Sequence, residues 1–161
     1  MRTTSDETPN YLCIYRWSER RGAGCYAFVA AHNIVSCEWF TDLLTSLVRT
    51  IQFYHTPSRR SPVEEFLDSL SDKHAQKVAW VLRLVERFDM IPKQYFKKLV
   101  GTEDLWEIRV QIGGNSYRFL GFFDGSRLLI LTSWFSKKQQ KTPQREIDIA
   151  NQRRTEYFQR R

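Results

Sequence analysis

The sequence is poor in the residues that most enzymes use for acid/base or nucleophilic chemistry. It contains three histidines and three cysteines among 161 residues, and neither type occurs between residues 75 and 161. Cys13, Cys25 and Cys37 lie twelve residues apart, a spacing that matches no zinc-binding pattern, and an odd number of cysteines argues against a disulfide framework. We therefore expect reduced thiols in a cytoplasmic protein, with no metal and no other cofactor.

Long apolar runs are also missing. No run reaches the roughly 18 residues that a membrane-spanning helix needs, so we expect no membrane partner. The hydrophobic content of 42% excludes global disorder. The net charge of +7 is uneven, because residues 1–47 carry −1 and residues 48–161 carry +8. A polyanion is the natural partner of the basic part, although solubility alone also explains such a balance.

The two parts differ in pattern as well as in charge. Residues 1–47 show no sustained period of 2 or 3.6 in their apolar residues. We treat them as an N-terminal extension of unknown role, and both disorder and a misassigned start remain open. Residues 48–161 form one predicted domain.

Helix and strand signals alternate through this domain and predict an α+β fold, with helices against one face of a mostly antiparallel sheet: two successive helices after the first strand, and a C-terminal helix. Ser61, Pro62 and Glu64 have the spacing of a capping box and predict a helix start. The expected elements are a strand over residues 48–55, a helix from Pro62, a helix over 72–89, an edge strand over 95–99, three strands within 105–141 and a terminal helix over 142–159.

The three consecutive strands are predicted to form a meander with one polar face. In residues 105–112, apolar and polar side chains alternate, and Glu107 and Arg109 lie on the polar side. A two-residue turn at Gly113 and Gly114 places Arg109 opposite Arg118. If unpaired, the two arginines repel each other by on the order of 3 kcal/mol at about 5 Å and an effective dielectric constant of about 20. A phosphate between them would reverse that sign, although Glu107 also offers a simple partner for Arg109.

Further cations and aromatic residues extend this face in the prediction. A second hairpin with an even loop at Asp124-Gly125 brings residues 129, 131, 133, 135 and 137 to the arginine side. The residues predicted to contact RNA around the arginines are Lys97, Lys98, Lys141 and Phe135, and Lys137 and Lys138 belong to the same cationic cluster. Exposed cations on a strand often form only a solvated face, and the ring of Phe135 fits either a core position or a platform for a base.

Such a face limits the possible chemistry. Without histidine, cysteine or a carboxylate cluster on the meander, a histidine-dependent or metal-dependent mechanism is disfavoured. Arginine and lysine side chains orient a phosphodiester and stabilise the charge that develops in its transition state. Since RNA supplies its own nucleophile, the 2′-hydroxyl, cleavage of RNA without a metal is compatible with these residues.

Three stretches carry a resemblance to a known family. The segments SPVEEFLDSL, KKLVGTEDLWEIRV and FSKKQQKTPQREIDIA, together with the GGNSYRFLGFFDG hairpin, resemble the phage-derived branch of the RelE/HigB toxins over residues 48–161. The resemblance implies a RelE-like fold, a type II toxin encoded beside a helix-turn-helix antitoxin, and cleavage of mRNA on the ribosome. It implies that the catalytic residues are Arg109, Arg118, Lys137 and Lys138, and it leaves Glu107 and a lysine as competing general bases.

A second hypothesis uses the same face without catalysis. In that hypothesis the domain is a phage or mobile-element module that binds RNA, the ribosome or an acidic protein through its arginines and lysines. Cleaved RNA appears only if the first hypothesis holds.

Overall fold

A computed structural model describes residues 48–136 and 142–161 of the chain. Residues 1–47 lie outside the described residues, so the division of the chain at residue 48 stays a prediction. The described elements, in chain order, are β1 (Thr50–Phe53), α1 (Pro62–Ser69), α2 (Asp72–Arg87), β2 (Phe96–Lys98), β3 (Leu105–Ile112), β4 (Asn115–Asp124), β5 (Leu128–Ser136) and α3 (Gln144–Gln159).

The five strands form one mixed sheet in the order β1-β5-β4-β3-β2. The strand β1 pairs in parallel with β5, and the other three pairings are antiparallel. The meander predicted from the sequence is therefore the centre of the sheet. The short strand β2 lies at its edge, as predicted. The fold is α+β.

Helices cover both faces of this sheet. Helices α1 and α2 pack on one face, where Ile108, Val110 and Phe119 join the larger hydrophobic core. Helix α3 packs on the opposite face, where Ala150 contributes to a second core. The expectation that the helices lie against one face was wrong for α3, because the face that carries the arginines also has enough apolar residues, such as Leu120, to bury a helix.

The start of α1 follows the sequence prediction. Ser61 is the N-cap, and its side chain accepts a hydrogen bond of 3.3 Å from the backbone N–H of Glu64, while Pro62 opens the helix. Ser71 is the N-cap of α2 but makes no side-chain cap hydrogen bond. Only the first of the two caps therefore satisfies one of the free N–H groups of its helix.

The hairpin between β4 and β5 differs from the prediction in two ways that partly cancel. Three residues separate Asp124 from Leu128, which are paired, so the loop is odd rather than even. A β-bulge then leaves Thr132 between the pairs Gly121–Leu131 and Leu120–Ser133. Beyond the bulge, residues 133 and 135 lie on the arginine face as predicted. Before it, residues 129 and 131 lie on the opposite face, in the larger core, so that part of the prediction was wrong.

None of the helices in residues 48–136 and 142–161 is long and apolar enough to cross a membrane.

Candidate functional site

Two arginines lie side by side on the central strands of the sheet. The predicted register is confirmed, since Ile112 pairs with Asn115 across the glycine turn and Arg109 pairs with Arg118. Gly113 has a φ of 56°, which an L-residue adopts only with strain, and this conformation suits the tight turn. The turn therefore sets the position of the arginine pair.

A buried carboxylate lies between the two guanidinium groups. Glu107 has no solvent exposure, and its Oε2 accepts a hydrogen bond of 2.6 Å from Nε of Arg109. Its Oε1 lies 3.6 Å from Nε of Arg118, within range of an ion pair. The arginines are therefore not unpaired, and the repulsion expected from the sequence is offset by Glu107. This arrangement extends the sequence interpretation in which Glu107 pairs with Arg109 alone.

The two arginines differ in their access to solvent. The side chain of Arg109 is 23% exposed and that of Arg118 is 10% exposed. Burial lowers the pKa of Arg118, an effect that Glu107 opposes and the nearby charge of Arg109 reinforces. The guanidinium stays protonated all the same, because the ordinary pKa of arginine is far above neutrality. The Nε of Arg118 has no hydrogen-bond partner among the described residues, so the less exposed of the two cations has a donor to spare beside Arg109.

A threonine that the sequence did not single out completes the environment of the carboxylate. The hydroxyl of Thr142 donates a hydrogen bond of 3.1 Å to Oε1 of Glu107. Thr142 lies two residues before α3, whose N-cap is Pro143. No sequence signal links Thr142 to Glu107, since 35 residues separate them and the contact exists only because α3 packs on this face of the sheet.

The predicted lysines divide between the faces. Lys97 pairs with Glu107 across β2 and β3, so it lies on the arginine face and is half-buried. Lys98 pairs with Trp106 on the opposite face and forms an ion pair with Asp104. The structure thus brings Lys97 to the arginines and does not bring Lys98. The other predicted lysines lie outside the described residues: Lys137, Lys138 and Lys141.

The two aromatic residues near the end of β5 both contribute to the core. Phe135 pairs with Arg118 on the arginine face, but it is only 7% exposed and belongs to the core beneath α3. Trp134 points to the other face and stacks on Phe66 with a ring separation of 3.4 Å. This burial favours the core interpretation of Phe135 over a base platform.

A histidine also reaches the meander, contrary to the expectation from its position in the chain. The Nδ1 of His74, near the start of α2, lies 2.8 Å from the hydroxyl of Tyr117 on β4. Tyr117 precedes Arg118, so its side chain points to the face opposite the arginines. Tyr117 is therefore adjacent in sequence to Arg118, but the His74–Tyr117 pair is separated from the candidate site by the sheet.

The described residues contain no group of three or more histidine, cysteine, aspartate or glutamate side chains placed to hold a metal ion. The site consists of a cationic pair, Arg109 and Arg118, held by Glu107 and flanked by Lys97 and Thr142. Side chains of these types are chemically suited to binding an anion and to stabilising negative charge that develops on it.

Comparison with protein families identifies the chain. The family model described as phage-derived protein Gp49-like (DUF891) matches residues 65–155, more than half of the sequence. The chain belongs to the Gp49-like family. No curated protein matches it. The matched region of this Gp49-like protein includes every residue of the candidate site, from Lys97 to Thr142, and the family is associated with toxin–antitoxin-like modules.

Proposed function

We propose that this Gp49-like protein is the toxin of a type II toxin–antitoxin system, and that it cleaves mRNA on the ribosome in the manner of RelE and HigB toxins. The observation that carries the proposal is the arginine pair, Arg109 and Arg118, held side by side by the buried carboxylate of Glu107. The association of the family with toxin–antitoxin-like modules supports it, as does the net charge of +7.

The reaction that suits this site needs no metal ion. The 2′-oxygen of RNA loses its proton to a base and attacks the adjacent phosphorus, and the bond from phosphorus to the 5′-oxygen breaks. The products are a 2′,3′-cyclic phosphate and a 5′-hydroxyl, which takes up one proton. Negative charge grows on the phosphoryl oxygens during this step, and positively charged donors fixed in advance lower its barrier.

Each residue near the phosphate has a distinct role in the proposal. Arg109, the more exposed of the pair, contacts the phosphodiester directly, and Arg118, beside it, stabilises the transition state. Glu107 holds the arginines rather than acting as the base, because both of its oxygens already accept hydrogen bonds, from Arg109 and Thr142. We assign the base to a lysine, and Lys97 lies on this face, opposite Glu107.

The other residues predicted from the sequence have different roles in the proposal. Lys137 and Lys138 are retained as catalytic residues and Lys141 as an RNA contact, on sequence grounds alone. Lys98 has no role in the proposed site, because it lies on the opposite face and its charge is paired with Asp104. Phe135 supports Arg118 from the core.

Two partners follow from this function. A helix-turn-helix antitoxin would neutralise the toxin, and the translating ribosome would present the mRNA. The ribosome would also compensate for the small number of residues on this face that are suited to proton transfer, because it holds the strand so that the attacking oxygen, the phosphorus and the leaving oxygen lie in line.

A non-catalytic module that binds RNA, the ribosome or an acidic protein is the second candidate. The observation that favours it is the hydrogen bonding of Glu107, which leaves this carboxylate engaged and unable to accept a proton readily. In this alternative each arginine contributes only to affinity. Removal of one arginine lowers, by about 0.7, the steepness with which the logarithm of the binding constant for single-stranded RNA falls with the logarithm of the salt concentration.

Arg109→Ala separates the two candidates, and because it removes one partner of the buried Glu107 carboxylate, the folding of the variant is measured beside its activity. The protein and the variant are induced in bacteria, growth is followed and the 5′ ends of transcripts are mapped during translation. We expect wild-type expression to stop growth and to create new cuts within reading frames. Arg109→Ala should reduce cleavage by about 10²- to 10³-fold, the usual cost of removing one group that stabilises the transition state.

Arg127→Ala is the matched control, since Arg127 is exposed in the turn before β5. It should arrest growth like the wild type. A folded wild-type protein that neither arrests growth nor cuts RNA contradicts the endoribonuclease proposal, and RNA binding without cuts favours the second candidate.

A further inference from the structure

Thr142 occupies an unusually constrained position beside the arginine pair. Its hydroxyl donates to Oε1 of Glu107 at 3.1 Å. The next residue is Pro143, the N-cap of α3, with a φ of −62° and a ψ of 140°. A residue that precedes proline is restricted to extended backbone conformations. The backbone of Thr142 is therefore restricted, and the start of α3 places this residue beside Glu107.

The orientation of Glu107 depends on this hydroxyl. Oε2 is engaged by Arg109 at 2.6 Å, whereas Oε1 lies 3.6 Å from Nε of Arg118, which is too long for a hydrogen bond. Thr142 thus makes the short contact to the second oxygen. With one contact to each oxygen, the plane of the carboxylate is set, and so is the direction in which it holds Arg109.

We propose that Thr142 is a positioning residue of the arginine pair and acts through Glu107 to fix the guanidinium of Arg109 for a phosphodiester. The proposal rests on the proposed function for the identity of the anion. It adds that the start of α3, an element outside the meander, sets the geometry of the site. A small misplacement of a catalytic group is enough to lower its effectiveness greatly.

The test compares Thr142→Val, which keeps the shape and loses the hydroxyl, with Thr142→Ser, which keeps the hydroxyl. Thr155→Val is the control, since Thr155 is an exposed threonine of α3 that bonds only within its helix at Asn151. The full chain is used. The first readout is the NMR signal of the Arg109 Nε–H group, assigned through the Arg109→Ala variant. The second is the affinity for a short single-stranded DNA, which has phosphodiesters and no 2′-hydroxyl.

We expect Thr142→Val to shift the Arg109 signal, to speed its exchange with solvent and to weaken DNA binding about tenfold, the lower end of the effect of a hydrogen bond to a charged group. Thr142→Ser and Thr155→Val should match the wild type. If Thr142→Val unfolds, Thr142→Ala takes its place in the same comparison.

Three results would overturn the proposal: an unchanged Arg109 signal in the variant without the hydroxyl, a serine variant that behaves like the valine variant, or a wild-type protein that binds no DNA through Arg109. The NMR signal is measured without nucleic acid, so it reports on Thr142 whether or not RNA is cleaved. A wild-type protein that binds DNA but does not cut mRNA would contradict the proposed function and leave the positioning role of Thr142 supported.

Discussion

Glu86 provides a test of the physical reasoning at a place remote from the arginine pair. This carboxyl group near the end of α2 is 2% exposed. Its Oε1 accepts a hydrogen bond of 3.1 Å from the backbone N–H of Ile51 on β1, whereas its Oε2 has no hydrogen-bond partner among the described residues. Burial raises the pKa of Glu86 from 4.5 to about 7, although the Ile51 hydrogen bond and the charges of Arg83 and Arg87 oppose the rise.

The raised pKa fixes the sign and size of the effect of Glu86→Gln. Below pH 4.5 the carboxyl group is mostly protonated in both the folded and the unfolded state, so its titration does not change the free energy of unfolding there. Between pH 4.5 and about 7 the unfolded chain releases the proton and the folded chain retains it, so the wild type loses stability as the pH rises. The loss levels off near 3 kcal/mol, since each pKa unit is worth about 1.36 kcal/mol. Glutamine does not titrate, so Glu86→Gln should be more stable than the wild type at pH 8 by on the order of 3 kcal/mol.

Urea unfolding followed by tryptophan fluorescence measures this difference at pH 5 and at pH 8. Most of the gain should be absent at pH 5. The amide group of glutamine places a donor where Oε2 now lies without a partner, which reduces the gain by about 1 kcal/mol at every pH and leaves its pH dependence intact. Glu103→Gln is the control, because the side chain of Glu103 is 88% exposed. A Glu86→Gln variant with the same stability difference at both pH values would show that Glu86 does not titrate with a raised pKa in the folded protein.

Two further pairs of substitutions test the packing of the sheet and the capping of a helix. Gly121→Ala should destabilise the protein by about 1–3 kcal/mol, because a Cβ there would lie 2.5 Å from the carbonyl oxygen of Ile130. Gly114→Ala should change the free energy of unfolding little, since a Cβ at Gly114 meets nothing within 4 Å among the described residues. Equal free energies of unfolding for the two variants in urea would contradict this expectation. Ser61→Ala should lower the free energy of unfolding by about 1 kcal/mol, because it removes the cap hydrogen bond of α1. Ser71→Ala removes no cap hydrogen bond and should lower it by less in the same measurement. The reverse order would show that the cap of α1 is not the relevant interaction.

The hairpin between β3 and β4 shows why much of the fold could be predicted from the sequence. Its turn residues, Gly113 and Gly114, and the alternation along residues 105–112 are local signals, and together they determine the register that places Arg109 opposite Arg118. The cap of α1 and the edge position of β2 are local in the same sense.

The environment of Glu107 shows where sequence reasoning ended. The contact from Thr142 depends on α3 covering the second face of the sheet, and helix periodicity does not say which face a helix will choose. The pairing of His74 with Tyr117 has the same origin, since it depends on how α2 crosses the sheet. The bulge at Thr132 was not predicted, because the residues on either side of it in the chain include no glycine or proline that would indicate an irregular backbone, as the glycines of the β3–β4 turn do.

That bulge constrains how the β4–β5 hairpin can change in length. The three-residue loop alone would place Phe135 on the face opposite Arg118, and the extra residue at Thr132 restores its side. Arg153 of α3 then donates a hydrogen bond of 2.6 Å to the carbonyl oxygen of Thr132, which ties the last helix to the same irregularity. Removal of Thr132 alone would leave Leu131 and Ser133 adjacent in sequence, opposite the adjacent residues Gly121 and Leu120, so the register on both sides of the bulge would be kept while Arg153 would lose its present acceptor. The bulge is therefore the place where this hairpin can lose one residue without turning a side chain to the other face of the sheet.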